Sequence, residues 1–320
     1  MIRWASLAIL WFIGSVFWTV HPGSRIIVGT NMGRQSVNYY ARQRQRHARF
    51  QALKRCQARN ALGPRNHLSI GMLNLNGYNE YMAVDLSDAI KARKRDVMCL
   101  IETKLRREDR MKVMLDGWEV FEAWREDYNW DKAGGGLAVM VRKDCGAIIR
   151  RCHLPIEQEN LHYMEKEHMW ITVDSGQVKT AICCVYLGYQ APDDVHGEWN
   201  DRIFRVLGLE IFKIRGAGFC ISFQGDFNAW IGSEVSEGGI PGNHRKMNKN
   251  GERFLAFLKG NNLIHLNGAC RSAGDWNTRV SSGLWTRHGH SSNSSSLIDY
   301  SVISAEHFEG VVGLYVDEGG

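Results

Sequence analysis

What most constrains this chain is a set of short, unbroken apolar runs, each about one strand long and each closed by a polar residue. The clearest is Phe219-Cys220-Ile221-Ser222-Phe223, which leads into Gly225-Asp226-Phe227-Asn228. A run this short and continuously apolar reads as a strand buried on both faces. Asp226 and Asn228 are two apart, so an extended backbone sends both side chains from one face. A carboxylate and an amide side by side at the mouth of a buried strand suit an activated water and an anionic oxygen. On this motif alone, a strand ending in a Gly turn with a helix-capping Asp remains an equal reading.

The same texture recurs from His67 onward. Leu68 to Leu73, Val97 to Ile101, Gly135 to Val141, Trp170 to Val173, Thr180 to Tyr186 and Leu297 to Ile303 read as strands. Glu80 to Lys94 reads as an amphipathic helix, as does a segment near Glu252 to Lys259. Ile203, Leu207, Ile211 and Ile214 recur at helical spacing and predict a crossover helix with an apolar stripe. Strands outnumber helices, and both strand-crossover-strand and strand-to-strand transitions occur. The class is therefore α/β (α+β) with mixed sheets.

The formal charge of +6 is unevenly spread. No Asp or Glu precedes Glu80, while residues 1–79 hold 11 Lys or Arg; the remainder carries 29 Lys or Arg against 34 acids. The basic character thus belongs to the N-terminal segment, and net charge demonstrates no nucleic-acid surface on the globular part. Ala5 to Val20 is an uncharged apolar stretch of 16 residues, short of the roughly 20 that comfortably span a bilayer. A signal peptide, a short signal anchor that would bring membrane contact through residues 5–20, and a leader outside the working protein all remain open. Residues 25–66, with Arg42, Arg44, Arg46, Arg49, Lys54, Arg55 and Arg59 and no acid, read as a solvated basic arm, with phosphate contact the lesser reading. The division expected is 1–66 outside the fold and 67–320 as one domain. None of the eight cysteines forms a C-x-x-C, and Cys99, Cys183, Cys184 and Cys220 sit in apolar runs, which favours a reducing compartment.

Several predicted strands end in a residue suited to one task. Leu73 leads into Asn74-Leu75-Asn76-Gly77, Ile101 into Glu102-Thr103-Lys104, Val185 into Tyr186, Phe223 into Asp226 and Asn228, and Ile298 into Asp299-Tyr300. Strand ends that converge on one crevice are the usual place for a ligand in open α/β architectures. Two or three carboxyl or amide oxygens bind a hard cation such as Mg2+, which keeps most of its waters. These five motifs stand in the order of the endonuclease/exonuclease/phosphatase superfamily, which the chain resembles over residues 67–320. Gly283-Leu284-Trp285-Thr286-Arg287 before a Ser-rich stretch, and Asn250-Gly251-Glu252-Arg253-Phe254-Leu255 running into Leu263 and Asn267, resemble the endonuclease domains of non-LTR (LINE-type) retrotransposons.

The resemblance implies a four-layered sandwich of two mixed β-sheets flanked by helices, and Mg2+-dependent phosphodiester cleavage, with Mn2+ as a substitute and no organic cofactor. It implies Glu102 as main metal ligand with Asn76 nearby or water-bridged. Asp226 would position or deprotonate the attacking water, and Asn228 and Asn74 would hold the phosphate and support Asp226. Tyr186 would donate to a non-bridging oxygen, and Asp299 would orient a catalytic His. DNA is the implied partner and nuclear access the implied location. The family's pattern also has a Ser-Asp-His near its C-terminal end, whereas this sequence runs to Asp317-Glu318-Gly319-Gly320 without one. The expectation is truncation shortly before that His, since His288, His290 and His307 do not match its position. Three functions follow: an endonuclease that nicks target DNA, an abasic-site or phosphate-ester hydrolase of the same superfamily, or an inactive relic.

Overall fold

A computed structural model describes residues 13–20, 27–28, 68–79, 82–93, 95–105, 116–124, 135–145, 147–152, 167–174, 179–188, 197–232, 246–269, 287–288, 295–296, 298–311 and 313–316. Most of the basic arm, Gly283 to Thr286, Ser291 to Ser294 and Asp317 to Gly320 lie outside the described residues, as do Trp130 and His290. In chain order the strands are β1 (Ile13–Val20), β2 (Ile27–Val28), β3 (Leu68–Asn74), β4 (Val97–Ile101), β5 (Trp118–Ala123), β6 (Leu137–Arg142), β7 (Ile148–Arg151) and β8 (His168–Asp174). There follow β9 (Lys179–Tyr186), β10 (Cys220–Asp226), β11 (Leu263–His265), β12 (Arg287–His288), β13 (Ser295–Ser296), β14 (Asp299–Ser304) and β15 (Gly313–Val316). The main helices are α1 (Met82–Arg93), α2 (Gly197–Gly216) and α3 (Lys249–Gly260).

Strand alternation builds four layers. One sheet runs β2-β15-β1-β3-β4-β6-β5 and the other β11-β14-β10-β9-β8-β7, with β12 and β13 forming a separate pair. Along β4, Val97, Cys99 and Ile101 face the space between the sheets, where they meet Ile171, Ile182, Cys184 and Ile303. Met98 and Leu100 point the other way, onto Leu86 and Ile90 of α1. In the second sheet Cys220 faces inward, while Ile221 and Phe223 face Ile203, Leu207 and Ile211 of α2 and Phe254 and Phe257 of α3. Period-two burial on both faces is why these strands are apolar throughout rather than alternating with polar residues. Both sheets are mixed, since β3 runs parallel to β4 and β4 antiparallel to β6, while β10 runs parallel to β9 and antiparallel to β14.

The expectation for residues 1–66 needs one correction. Ile13–Val20 is not outside the sheet: β1 pairs antiparallel with β3 from Val20 against Leu68 to Ile13 against Asn74, and with β15 at Val16 against Val316. An eight-residue segment rich in Val, Phe, Trp and Thr has strong strand preference. The edge of β3 would otherwise present a row of unpaired backbone groups. Among the described residues, no helix is long and apolar enough to cross a membrane.

Candidate functional site

Register brings the polar strand ends to one rim of the sandwich. In the first sheet Asn74, the last residue of β3, lies opposite Ile101, so Glu102 follows directly beside it. In the second sheet Asp226 lies opposite Tyr186 of β9 on one side and Asp299 of β14 on the other. The Asn74 side chain joins the two halves. Its amide donates to Glu102 Oε1 at 3.0 Å and to Asp226 Oδ2 at 3.4 Å, across 152 residues of sequence. Its own Oδ1 accepts the Asn76 N–H at 3.0 Å, so the amide orientation is fixed. Asn74 is 2% exposed and Asp226 2%, while Glu102 is half-buried and opens to solvent.

Asp226 is held on both oxygens, since Oδ1 accepts the Asn228 backbone N–H at 2.8 Å. The same-face argument for Asp226 and Asn228 stops at Asp226. The strand ends there, and Asn228 has φ of +45°, a left-handed conformation that Asn tolerates better than most residues. One Asn228 amide proton goes to Leu187 O at 2.7 Å, so Asn228 reaches Asp226 through its main chain and spends half its side-chain donors on β9's extension. The loop behind it is tied to α3. Asn248 caps that helix by accepting Gly251 N at 2.7 Å, accepts Trp230 N at 2.9 Å and donates to Asn228 O at 3.1 Å.

Strain is concentrated at the other half. Glu102 and Lys104 have φ of +53° and +54°, and Asn76 of +48°. Non-glycine residues persist in this region only where neighbours hold them. Thr103 and Lys104 donate their N–H groups to Gly136 O and Gly135 O, both at 2.9 Å, and Gly77 and Tyr78 donate to Glu102 O and Thr103 O at 2.7 and 2.8 Å. Gly136 itself has φ of +79°, and a Cβ there would meet Thr103 Oγ1 at 2.7 Å.

All seven residues singled out in the sequence thus lie at or beside this rim, with two qualifications. Asn76 Oδ1 accepts from Lys104 Nζ at 2.7 Å, so an ammonium group already occupies the oxygen expected near a metal. Tyr186 is 9% exposed and packs in the core between the sheets. His307 lies exposed beside Glu306. Three features were not read from the sequence: the Lys104 contact, the buried Glu167 described below, and a buried group on the far side of the second sheet. There Glu210 of α2 accepts from Trp170 Nε1 at 2.8 Å and pairs with His168 Nε2 at 2.9 Å, which clamps α2 to β8.

The donor chemistry fits a hard divalent cation. Mg2+ takes one or two carboxylates and keeps several waters, and Glu102 offers such a carboxylate at the open edge of the rim. Among the described residues no three His, Cys, Asp or Glu side chains cluster as a closed metal cage, which a largely hydrated ion does not require.

A two-sheet, four-layered α/β sandwich with its polar residues at one rim defines the class, and the chain has the endonuclease/exonuclease/phosphatase fold. No family model and no curated protein sequence matches the chain. Among solved structures it is similar to the 3′-5′ exonuclease NExo from Neisseria meningitidis, with 16% identity over 74% of this chain and 87% of that one, at a TM-score of 0.52. Further matches include the catalytic domain of Xenopus laevis APE2 (14% identity, 73% and 81% covered, TM-score 0.49). The endonuclease domain of TRAS1, a telomere-specific non-LTR retrotransposon, also matches (16% identity, 73% and 84% covered, TM-score 0.42).

Proposed function

We propose that the protein is a Mg2+-dependent phosphodiesterase that nicks DNA, an endonuclease of the retrotransposon type. The observation that carries this reading is the Asn74 bridge, which sets two carboxylates from different sheets about one amide at an open rim. Each has a separate task. Glu102, solvent-facing, would hold the cation, with Mn2+ able to replace Mg2+. Bound there, the ion would offset phosphate charge and so favour attack on phosphorus. Asp226, buried and held on both oxygens, presents a fixed acceptor that orients an attacking water. Lys104, anchored on Asn76, adds a cation beside the phosphate position. Tyr186 and the remaining Asn228 amide proton are the neutral donors for phosphoryl oxygens. Asp299, adjacent to Asp226 in register, is the carboxylate that would orient an imidazole.

The test is nicking of supercoiled plasmid by the full 320-residue chain with Mg2+, against Asp226→Ala and against chelator. Expected is relaxed circle from the wild type and a loss of at least about 10²-fold in the variant, the usual contribution of such a group. Equal nicking by both proteins would sink the assignment. Cleavage confined to abasic-site DNA, or to a small phosphate ester, would move the substrate to that branch of the superfamily. A folded chain inert on all three would identify a relic.

A further inference from the structure

We propose that Glu167 is a positioning residue that locks the Glu102 turn from the opposite sheet. The proposal rests on reading this rim as a phosphodiesterase site. Glu167 immediately precedes β8, in the sheet that carries Asp226, and is 3% exposed. Its Oε2 accepts the Gly136 N–H at 2.9 Å, so the carboxylate crosses between the sheets to the segment entering β6. Its main-chain carbonyl accepts the Tyr186 N–H at 2.9 Å. One residue thereby touches the backbone on both sides of the rim.

The contact with Gly136 matters because of what Gly136 holds. Gly135 and Gly136 receive the N–H groups of Lys104 and Thr103, the pair that follows Glu102 through its left-handed turn. Gly136 fits against Thr103 so closely that a Cβ there would meet Oγ1 at 2.7 Å. Movement of the glycine segment therefore passes directly to the turn that aims Glu102. A buried carboxylate is costly unless hydrogen-bonded, and a neutral amide acceptor would serve a purely structural contact as well. Glu167 does for the Glu102 turn what outer-sphere partners do for metal ligands generally, fixing orientation without touching the ion.

Two substitutions in the full chain separate acceptor from charge. Glu167→Asp keeps the charge but withdraws the acceptor by one methylene; Glu167→Gln keeps the reach and an acceptor oxygen but removes the charge. Three quantities are read: amide hydrogen exchange at Thr103 and Lys104, Mn2+ binding by paramagnetic resonance, and kcat and KM for plasmid nicking. Expected for Glu167→Asp is faster exchange at those two amides with β10 unaffected, and Mn2+ affinity and kcat reduced by about 10- to 100-fold at unchanged KM. Glu167→Gln should stay within about 3-fold of wild type, well inside that range. Wild-type protection in Glu167→Asp, or a Glu167→Gln variant as impaired as Glu167→Asp, overturns the proposal. A wild-type chain that binds no Mn2+ and nicks nothing defeats the functional reading instead, while the exchange measurement still decides the role of Glu167.

Discussion

Replacing Asn74 by Asp puts a third carboxylate where one amide now serves two. The new oxygen would stand where the amide nitrogen does, 3.0 Å from Glu102 Oε1 and 3.4 Å from Asp226 Oδ2. At an effective dielectric of 20, each like-charge pair costs about 5 kcal/mol, so about 10 kcal/mol in all, comparable to the whole stability of a domain. Taking up a proton is the less costly escape. A carboxyl with an unfolded pKa of about 3.9 is protonated at pH 7 for about 4 kcal/mol, and at pH 5 for about 1.5 kcal/mol, using about 1.4 kcal/mol per unit. The introduced group therefore folds protonated, with its pKa raised. Its penalty is largest at high pH and fades as pH falls. Asn74→Ala removes those two bonds and the acceptor of the Asn76 N–H without adding charge, and should cost about 3–6 kcal/mol with no comparable pH slope, at about 1.5–3 kcal/mol for each hydrogen bond to a charged group. The assay is urea unfolding of wild type, Asn74→Asp and Asn74→Ala in chelator at pH 5 and pH 7. The expected signature is a deficit in the Asp variant that shrinks by about 2.5 kcal/mol between the two. A deficit that is flat with pH, or parallel to that of the Ala variant, would refute the placement of Asn74 between these two carboxylates.

Gly225→Ala should destabilise by about 3 kcal/mol or more, the upper end of overpacking costs. A Cβ there would collide with Val185 Cγ1 and Val185 O, and the carbonyl cannot rotate away without parting β9 from β10; a near-neutral urea midpoint would contradict this. Asn248→Ala removes the α3 cap and two ties to the Asn228 loop, for a loss of about 1–2 kcal/mol and faster exchange at Trp230 N–H. Unchanged exchange there would show the loop is held by other means. Burial pushes the Cys220 thiol up to about 12, so the folded state keeps a proton that the unfolded chain gives up above its ordinary thiol range. Stability from this group is complete below that range and is lost as pH climbs toward 12, by about 1.4 kcal/mol per unit. Cys220→Ala should flatten the alkaline slope by that amount, and parallel slopes for the two proteins would count against it.

The strands legible in the sequence are those buried on both faces. β3, β4, β9 and β10 are apolar runs because helices cover one side and the opposing sheet the other. β5 and β7 gave no such signal. Trp118 to Ala123 places its two acids, Glu119 and Glu122, three apart and so off the strand period of two, and Ile148 to Arg151 is a mostly exposed edge whose Ile148 faces solvent. β1 was legible as apolar but not as a strand, since periodicity alone does not separate a short apolar run in a sheet from one in a leader. At the rim, Asn74, Glu102, Asp226 and Asp299 could be read because each lies at or next to one end of a recognisable strand. Glu167 and Lys104 could not be assigned roles, because their contacts with Gly136 and Asn76 cross 31 and 28 residues and leave no local pattern. The left-handed turn at Glu102 was invisible for a similar reason, being imposed by neighbours rather than by Glu itself.

The two halves of the rim ride on different sheets, so the filling between those sheets acts as a caliper for the site. Cys184 of β9 comes within 3.8 Å of Leu100 O on β4, and its neighbour across the gap is Cys99, also small and fully buried. Slim side chains at that station let Glu102 and Asp226 approach a single amide. Interior bulk and the geometry of the rim are therefore one variable in this molecule. A methylene added beneath the rim is felt at the carboxylates as well as in the melting temperature.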